Sequence, residues 1–475
     1  SVDDLVPLAE SLEAHIPNQI WAPGSYSAYS NWAVAVAGLV VANVSGMSFE
    51  DYVAERIFRP LGMTRSTFDE PLPESLAADM AQGYMAKTGG IEPMGFEFIK
   101  NFGPAGALSA PAEDMAKFII AHVRDGAYGD TRILEADTAR LMHSRLFAHD
   151  PRVTGMAHGF YEIVRNGERF VGHGGDTIAF HSQLVIQPQS DFGFFLSFNT
   201  PDGARARTAV VDAVIDFFYP GAGEPVVPAP ELAGSAERIA RVVGAYRLNR
   251  RSYTKLEGVT GLAGDLAITS DAEGEIIVPA PAGIGGRFVE IEPYVFKKRG
   301  RQELLVFETT GDGEVDRLFV GSLPIMVADK LSAWEAAGNH QIVLLLAALA
   351  AFFVLLNSIR NRRSAALSGS MRLAKASLNL ASVCYLLFAA GLALVFGTTD
   401  MNRMIFDFPP AGTGAVLVLP LLVVFFTALC VVMMVPVWRS PDCTVWQRIR
   451  YSYVVAVFCL LALVLWYWNL IGWRY

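Results

Sequence analysis

Two short stretches of this 475-residue chain carry side chains suited to proton transfer. In the first, Tyr29 and Asn31 follow a Pro-Gly turn and precede a run of small apolar residues, 33–44. A phenol in water titrates near pH ~10 and is a poor base, but a neighbouring cation that favours the phenolate makes it useful. In the second, His173 and two glycines stand in a strand-like stretch that ends at Asp176.

Each stretch also has a purely structural interpretation. Ser30 or Asn31 can cap the free N–H groups of the helix that starts there, which would make Tyr29 incidental. His173 can be a strand histidine beside a glycine bulge. The ordered motifs around both stretches favour the chemical interpretation.

Predicted helices and strands must position these residues. Residues 159–199 alternate as antiparallel strands, with turns at 166–167 and 189–191. Residues 61–95 are rich in Pro, Gly and Met, which predicts a loop with short strands over the site. Helices are predicted over residues 1–20, from 32 to about 60, and over 113–124, 135–142 and 208–219.

The ordered motifs resemble the serine hydrolases of the class C β-lactamase and penicillin-binding protein superfamily. They are the Pro-Gly before Tyr29-x-Asn31, the helix end 59–63 (Arg-Pro-Leu-Gly-Met), the stretch 103–110, and the His-Gly-Gly at 173–175. The resemblance covers roughly residues 1–219. It implies an α/β domain of β-lactamase type, in which helices flank an antiparallel sheet.

The resemblance also implies a role for each site residue. Tyr29 would accept and later return the nucleophile's proton, and Asn31 would orient the substrate amide and the lysine of the Ser-x-x-Lys motif. His173 takes the place of a more usual lysine. Gly174 and Gly175 would let the substrate backbone approach, and the N–H of Asp176 would be one oxyanion donor.

The implied reaction is formation of an acyl-enzyme on an amide, ester or β-lactam. The substrate would be a small molecule or a peptide. No cofactor is expected. No metal is expected either, since the histidines do not show metal-ligand spacing.

The serine nucleophile of this superfamily lies in a Ser-x-x-Lys motif well before Tyr-x-Asn. The one Ser-x-x-Lys in this sequence is Ser252–Lys255, after both other motifs, and we interpret Ser252 as an ordinary turn or strand serine. We therefore expect the chain to be a fragment, inactive as given, of a longer enzyme that carries the nucleophile upstream. The alternative is a pseudoenzyme of the cell envelope that binds muropeptide or a partner protein.

Composition separates the chain into different parts. It is 52% hydrophobic and only 18% charged, and the apolar excess lies after residue 340. The net charge of −9 argues against nucleic acid as a partner. The hydrolase-like part has no cysteine, so it has neither a disulfide framework nor a cysteine nucleophile. The four cysteines are Cys384, Cys430, Cys443 and Cys459.

A linker and a second domain are predicted after the hydrolase-like part, residues 1–220. Residues 221–230 are rich in Pro and Gly, which is typical of a linker. Residues 231–335 contain six short strand-like runs, which predicts a small all-β domain, either a barrel or a curled sheet. A structural or substrate-shielding role is expected for it.

The last part, residues 340–475, is predicted to be a four-helix transmembrane domain in a lipid bilayer. Its spans are expected at about 342–359, 374–396, 413–437 and 452–470. Transport through them has little support, because no Asp, Glu, Lys or Arg lies in the interiors of the spans.

Basic residues indicate the orientation of these spans. The first connection carries five of them, the third three, and the middle connection only Arg403. By the positive-inside rule, the first and third connections are cytoplasmic. The hydrolase and β domains would then face the periplasm from the inner (cell) membrane. The basic residues of the first and third connections are Arg360, Arg362, Arg363, Arg372 and Lys375, and Arg439, Arg448 and Arg450.

Overall fold

The computed structural model describes residues 5–87, 89–221, 232–279, 284–360, 369–399, 408–441 and 443–475. The chain divides into two compact units. The first comprises Ser1–Gly244, Leu248–Arg250 and Ile268–Lys330. The second comprises Ala245–Arg247, Arg251–Ala267 and Leu331–Tyr475. The predicted linker, 221–230, lies outside the described residues except for Gly221.

A four-stranded antiparallel sheet organises the first half of the chain. Its order is β5-β6-β7-β8, so each strand pairs with the next one along the chain. Two smaller hairpins, β1-β2 and β3-β4, lie in the connections. The strands are β1 (Gly83–Lys87), β2 (Gly90–Met94), β3 (Ala127–Tyr128), β4 (Thr131–Arg132), β5 (Tyr161–Arg165), β6 (Glu168–Asp176), β7 (His181–Gln187) and β8 (Phe192–Phe198).

The longer helices of this half agree with the predicted pattern except at the start, and the short α5 lies in residues 61–95, where a loop with short strands was predicted. Of the helix predicted over residues 1–20, the described residues 5–20 form only Leu8–Ala14, because Pro7 stands at its N-cap and Pro17 disfavours helix in the residue before it. A π-helical turn, Ala54–Phe58, joins α3 to α4. The helices are α1 (Leu8–Ala14), α2 (Asn31–Ser45), α3 (Phe49–Val53), α4 (Arg59–Leu61), α5 (Glu74–Ala77), α6 (Ala112–Val123), α7 (Ala136–His143) and α8 (Gly203–Phe218).

Apolar side chains cover both faces of the sheet. Neighbouring residues of β6 point to opposite sides, so Val171 joins one cluster with Ile119 of α6 and Phe170 joins another with Ile215 of α8. All four side chains are at most 4% exposed. Fully burying a side chain of this kind stabilises the fold by about 1.5–3 kcal/mol. The predicted α/β layering, a sheet between helices, is thereby confirmed.

Two histidines are buried together between α6 and α7. His122 Nδ1 lies 3.0 Å from His143 Nε2, and the two residues are 3% and 5% exposed. Burial, with a smaller effect from His143, lowers the pKa of His122 to about 3. The ring is therefore neutral in the folded state, whereas it binds a proton below pH ~6.5 once unfolded.

This difference predicts acid sensitivity of the fold. Stability is complete above pH ~6.5 and falls as the pH drops from there towards 3, by up to about 1.4 kcal/mol per pH unit for one such group. We expect the thermal midpoint of the protein in detergent to fall between pH 6.5 and 4. His122→Leu should reduce the decrease of the thermal midpoint between pH 6.5 and 4, independently of its effect on the midpoint at pH 7.

The exposed His15, near the end of α1, provides the matched control. His15→Gln should leave the pH dependence of the midpoint as it is in the unmodified protein. Equal slopes for His122→Leu and the unmodified protein would show that the buried pair does not cause the acid sensitivity.

Eight strands in the second half form a closed barrel. The predicted six runs are present, and two strands that were not among them, β9 and β16, complete the ring. Closure leaves the sheet without a free edge. Tyr246, Phe288 and Phe296 are fully buried. The strands are β9 (Gly244–Leu248), β10 (Leu266–Ser270), β11 (Ile276–Val278), β12 (Gly286–Glu292), β13 (Val295–Lys298), β14 (Leu304–Thr309), β15 (Val315–Val320) and β16 (Ala328–Lys330).

Four helices in the second unit are long and apolar enough to cross a membrane. Each overlaps a predicted span and begins or ends outside it, but the fourth ends at Tyr467, three residues before the predicted end at 470. The basic residues 362, 363 and 403, which contribute to the predicted orientation, lie outside the described residues. After α9 (Ser235–Val242) of the first unit, these helices are α10 (Ala337–Arg360), α11 (Gly369–Thr398), α12 (Thr413–Arg439) and α13 (Val445–Tyr467).

Candidate active site

Tyr29 lies in an extended segment directly before α2. The side chain of Ser30 caps that helix by accepting the backbone N–H of Ala33 at 3.2 Å. The backbone N–H of Ser27 donates to His149 Nε2 at 3.0 Å, and that of Tyr29 donates to the carbonyl of Ile325 at 3.0 Å. The segment is therefore fixed by its own helix and by hydrogen bonds from two distant parts of the first unit.

His173 lies on β6, an inner strand of the sheet, and its ring contacts two phenols. The ring centroids of Tyr29 and Tyr161 lie 5.8 Å and 5.3 Å from that of His173. Nδ1 of His173 is 2.7 Å from the carbonyl oxygen of Gly174. Because a carbonyl can only accept, Nδ1 carries the hydrogen and Nε2 presents a lone pair.

The phenol of Tyr29 is the group that this lone pair meets. Its oxygen lies 3.5 Å from His173 Nε2. Burial raises the pKa of Tyr29, and the positive charge of Arg250 opposes that rise. Burial lowers the pKa of His173, against a weaker opposing effect of its bond to Gly174. At neutral pH both groups are uncharged, so the phenol donates to the imidazole. Catalytic contacts in unliganded sites are often this long and shorten when substrate binds.

Asn31 is the first residue of α2 and is exposed. Within the described residues its side chain makes no hydrogen bond. Its amide is therefore open to solvent, two positions after Tyr29.

The glycines after His173 pack against the fold's own side chains. The N–H of Gly174 donates to the hydroxyl of Tyr161 at 2.7 Å. A β-carbon at Gly174 would lie 3.0 Å from Gln183 Oε1 and 3.1 Å from the Tyr161 hydroxyl. One at Gly175 would lie 3.0 Å from Ser182 Oγ. Close packing within the sheet therefore favours glycine here, in addition to any approach by a substrate.

Asp176 ends β6 and holds a charged cluster. Its carboxylate accepts from His181 Nδ1 at 2.7 Å and from Arg207 at 2.9 Å. Arg207 also donates to the carbonyl of Gly175 at 3.2 Å. These bonds fix the end of the strand whose Asp176 N–H was predicted as an oxyanion donor.

Sequence reasoning did not identify two residues that contact the predicted pair. Tyr161 starts β5 and lies opposite Gly172 in the register, so strand pairing was the signal that could have indicated it. Arg250 follows β9 of the barrel, and its guanidinium carbon lies 4.8 Å from the centre of the Tyr29 ring. No motif of the hydrolase-like part includes this arginine.

Ser252 and Lys255 form a tight local turn. The hydroxyl of Ser252 accepts the backbone N–H of Lys255 at 3.2 Å. This bond accords with the interpretation of Ser252 as a turn residue.

An antiparallel sheet between helices, with Tyr29 and His173 meeting at one end of it, is an architecture of the β-lactamase-like class of serine hydrolases. Residues 12–217 match the Beta-lactamase family. This domain is thus similar to serine hydrolases of the family that includes β-lactamases and penicillin-binding proteins.

Individual relatives are distant. Penicillin-binding protein 4 of Amycolatopsis lactamdurans is 29% identical over 177 residues, which cover 35% of this chain and 46% of the relative. A β-lactamase of Yersinia enterocolitica is 26% identical over 167 residues, covering 35% and 41% of the two chains. The chain thus spans less than half the length of either relative. The crystal structure of SurE superposes with a TM-score of 0.44 and 21% identity, over 67% of this chain and 71% of that one. This likeness is too distant to bear on function.

Proposed function

We propose that the full-length protein is a membrane-anchored serine hydrolase that forms an acyl-enzyme on an amide, ester or β-lactam. One observation carries the proposal: the Tyr29 phenol faces the neutral Nε2 of His173 where α2 begins beside β6. A phenol and an imidazole in contact can pass a proton between a nucleophile and a leaving group. The match of residues 12–217 to the Beta-lactamase family supports the same reaction.

In this proposal each predicted residue has a part in acyl transfer. The serine attacks the carbonyl while Tyr29 takes its proton as the phenolate, the form left when Nε2 of His173 accepts the phenol's own proton. The N–H of Asp176 contributes to the oxyanion hole, and Asn31 orients the substrate amide. When the bond breaks, the phenol returns the proton to the leaving group. The substrate is a small molecule or peptide.

The nucleophile is expected on a segment encoded before residue 1. An exposed apolar stripe on α2 supports this expectation. Ala33, Ala37, Val40 and Val44 lie on one face of the helix and are all exposed, Val40 by 54% and Val44 by 84%. An exposed apolar helix face beside a candidate active site is a surface on which another segment of the same domain can pack.

The proposal places the hydrolase domain outside the cytoplasm. The four apolar helices support anchoring in a membrane. The predicted surplus of basic residues in the first and third connections supports an orientation that leaves the hydrolase domain in the periplasm.

A fluorophosphonate probe tests the reaction on the full-length protein in its native membrane. We expect one serine to be labelled, and peptide mapping should locate it in a Ser-x-x-Lys motif encoded upstream of Tyr29. Pre-incubation with a β-lactam or an activated ester should reduce the labelling. An unlabelled full-length protein would contradict the proposal.

A non-catalytic envelope protein that binds muropeptide or a partner protein is the second candidate. It is favoured by the location of the sequence's one Ser-x-x-Lys in a turn of the second unit. The upstream coding sequence discriminates between the two candidates. Absence of Ser-x-x-Lys there, together with muropeptide binding without turnover, would select the binding protein.

A further inference from the structure

The barrel contributes a charged side chain to the candidate active site. Arg250 follows β9, and its guanidinium carbon lies 4.8 Å from the centre of the Tyr29 ring, a cation–π distance. Both residues belong to the first unit, although the barrel strands follow the hydrolase-like domain in the chain. The tyrosine that contacts His173 therefore also contacts a cation from another domain.

The charge of Arg250 is not neutralised by a neighbouring acid. Arg250 is exposed, and within the described parts of the chain it forms no ion pair. A guanidinium stays protonated at any working pH, so its charge is permanent. Tyr29 thus has a fixed cation at its ring and a neutral imidazole at its hydroxyl.

The contact between Arg250 and Tyr29 is held by the backbone on both sides of it. Asn249, next to Arg250, is 1% exposed, and its side-chain amide donates to the carbonyl of Ser27 at 2.9 Å. The same amide accepts the N–H of Val327 at 3.1 Å. Near it, the N–H of Tyr29 donates to Ile325. Two hydrogen bonds, at Ser27 and at Tyr29, therefore hold the tyrosine segment against the barrel domain, which fixes the phenol relative to the guanidinium.

We propose that Arg250 is a positioning residue for Tyr29, and that the barrel is thereby a working part of the hydrolase site. The guanidinium orients the ring and favours the phenolate when Tyr29 takes up its role as proton acceptor. This inference rests on the proposed function. In place of the expected structural or substrate-shielding role, it gives the barrel a part in positioning Tyr29.

The electrostatics around Tyr29 give the expected direction of the effect. Burial disfavours the phenolate and raises the pKa of Tyr29, whereas the charge of Arg250 works to lower it. Removing the charge leaves burial unopposed, so the pKa should rise further. Each unit of that rise reduces the phenolate fraction near neutral pH tenfold.

The first test is the rate of fluorophosphonate labelling of the full-length protein between pH 5 and 10. Arg250→Gln should label about tenfold more slowly at pH 7, and the rising limb of its pH profile should move up by about one pH unit. Arg250→Lys keeps the charge and should keep the limb near its original position. Loss of that rescue, with both variants shifted alike, would overturn the proposal.

Arg317 provides a matched control on the same segment. Its guanidinium carbon lies 4.0 Å from the centre of the Tyr26 ring, three residues before Tyr29, in the same kind of contact. Arg317→Gln should leave the limb in place even if it loosens the segment. A shift equal to that of Arg250→Gln would assign the effect to packing and overturn the proposal. If the pH profile of Arg250→Gln does not shift, the proposal is also overturned. A slower labelling rate without that shift would mean that the arginine contacts the ligand.

A second measurement separates this inference from the proposed function. Tyr29 is replaced by 3-fluorotyrosine, and its ¹⁹F shift is titrated in the full chain with and without Arg250→Gln. A higher titration midpoint in the variant supports the role of Arg250, and an unchanged midpoint overturns it. A protein that is not labelled but whose ¹⁹F titration midpoint shifts would contradict the proposed hydrolase function. It would still support the electrostatic effect of Arg250 on Tyr29.

Discussion

Replacing Tyr29 by phenylalanine in the full-length protein should lower the rate of acylation by a factor of about 10² to 10⁴, the usual contribution of one positioned proton-transfer group. The substitution removes only the hydroxyl that lies 3.5 Å from His173 Nε2. The ring remains, so its contacts with Arg250 and His173 are retained. The loss should appear in the labelling rate and in turnover of an activated ester.

Tyr26→Phe is the matched control for this prediction. Tyr26 lies three residues earlier in the same extended segment, and its hydroxyl bonds to Glu308 and Arg317. Removing it tests whether a lost hydroxyl in this segment is enough to disturb the site. We expect acylation within about threefold of the unmodified rate. A Tyr29→Phe protein that acylates at a comparable rate would show that the phenol does not transfer the proton.

The second large effect is on stability and comes from Glu162, the neighbour of Tyr161 on β5. The side chain of Glu162 is 1% exposed. It accepts from Arg145 at 2.5 Å, from Arg169 at 2.6 Å and from the backbone N–H of Gly155 at 2.8 Å. Burial alone would raise the pKa of this carboxyl, but these donors outweigh burial and lower it.

Glu162→Ala should destabilise the first unit by about 2–3 kcal/mol. Breaking a buried ion pair costs about 3–5 kcal/mol, and the figure is reduced here because water reaches Arg145, which is 38% exposed. Thermal unfolding in detergent measures the change. The loss should be largest near neutral pH. It should shrink in acid, because the carboxylate's contribution is lost as the pH falls through its lowered folded-state pKa.

Glu168→Ala is the corresponding control on the adjacent strand, β6. Its carboxylate accepts from Gln187 at 3.2 Å, so its removal should cost no more than about 1 kcal/mol. If both alanine variants unfold at the same temperature, the ion pairs of Glu162 with its two arginines contribute little to the stability of the sheet.

Part of this protein follows local patterns in the chain and was predictable for that reason. Alternation over residues 159–199 reflects strands with apolar groups on each face, as Phe170 and Val171 illustrate. The four helices that are long and apolar enough to cross a membrane follow from apolar runs alone. Tyr29 and His173 stand out because each lies in a short stretch with its own signal, a helix start and a strand with glycines.

Other features depend on which distant segments meet, and no local pattern encodes that. β9 and β16 close the barrel although local patterns did not predict them as strands, because pairing with neighbours stabilises short strands. The pairing of Glu162 with Arg145 and Arg169 follows from the strand register and the loop before β5.

The composition of the candidate site shows the same division. The order of residues alone shows a tyrosine and a histidine capable of proton transfer 144 residues apart. Folding brings the two together, packs Tyr161 against the same histidine, His173, and sets Arg250 of the barrel over the Tyr29 ring. The physical reason is that side-chain chemistry is a property of single residues. The electrostatic environment that adjusts this chemistry is set by groups that only folding brings within a few ångströms.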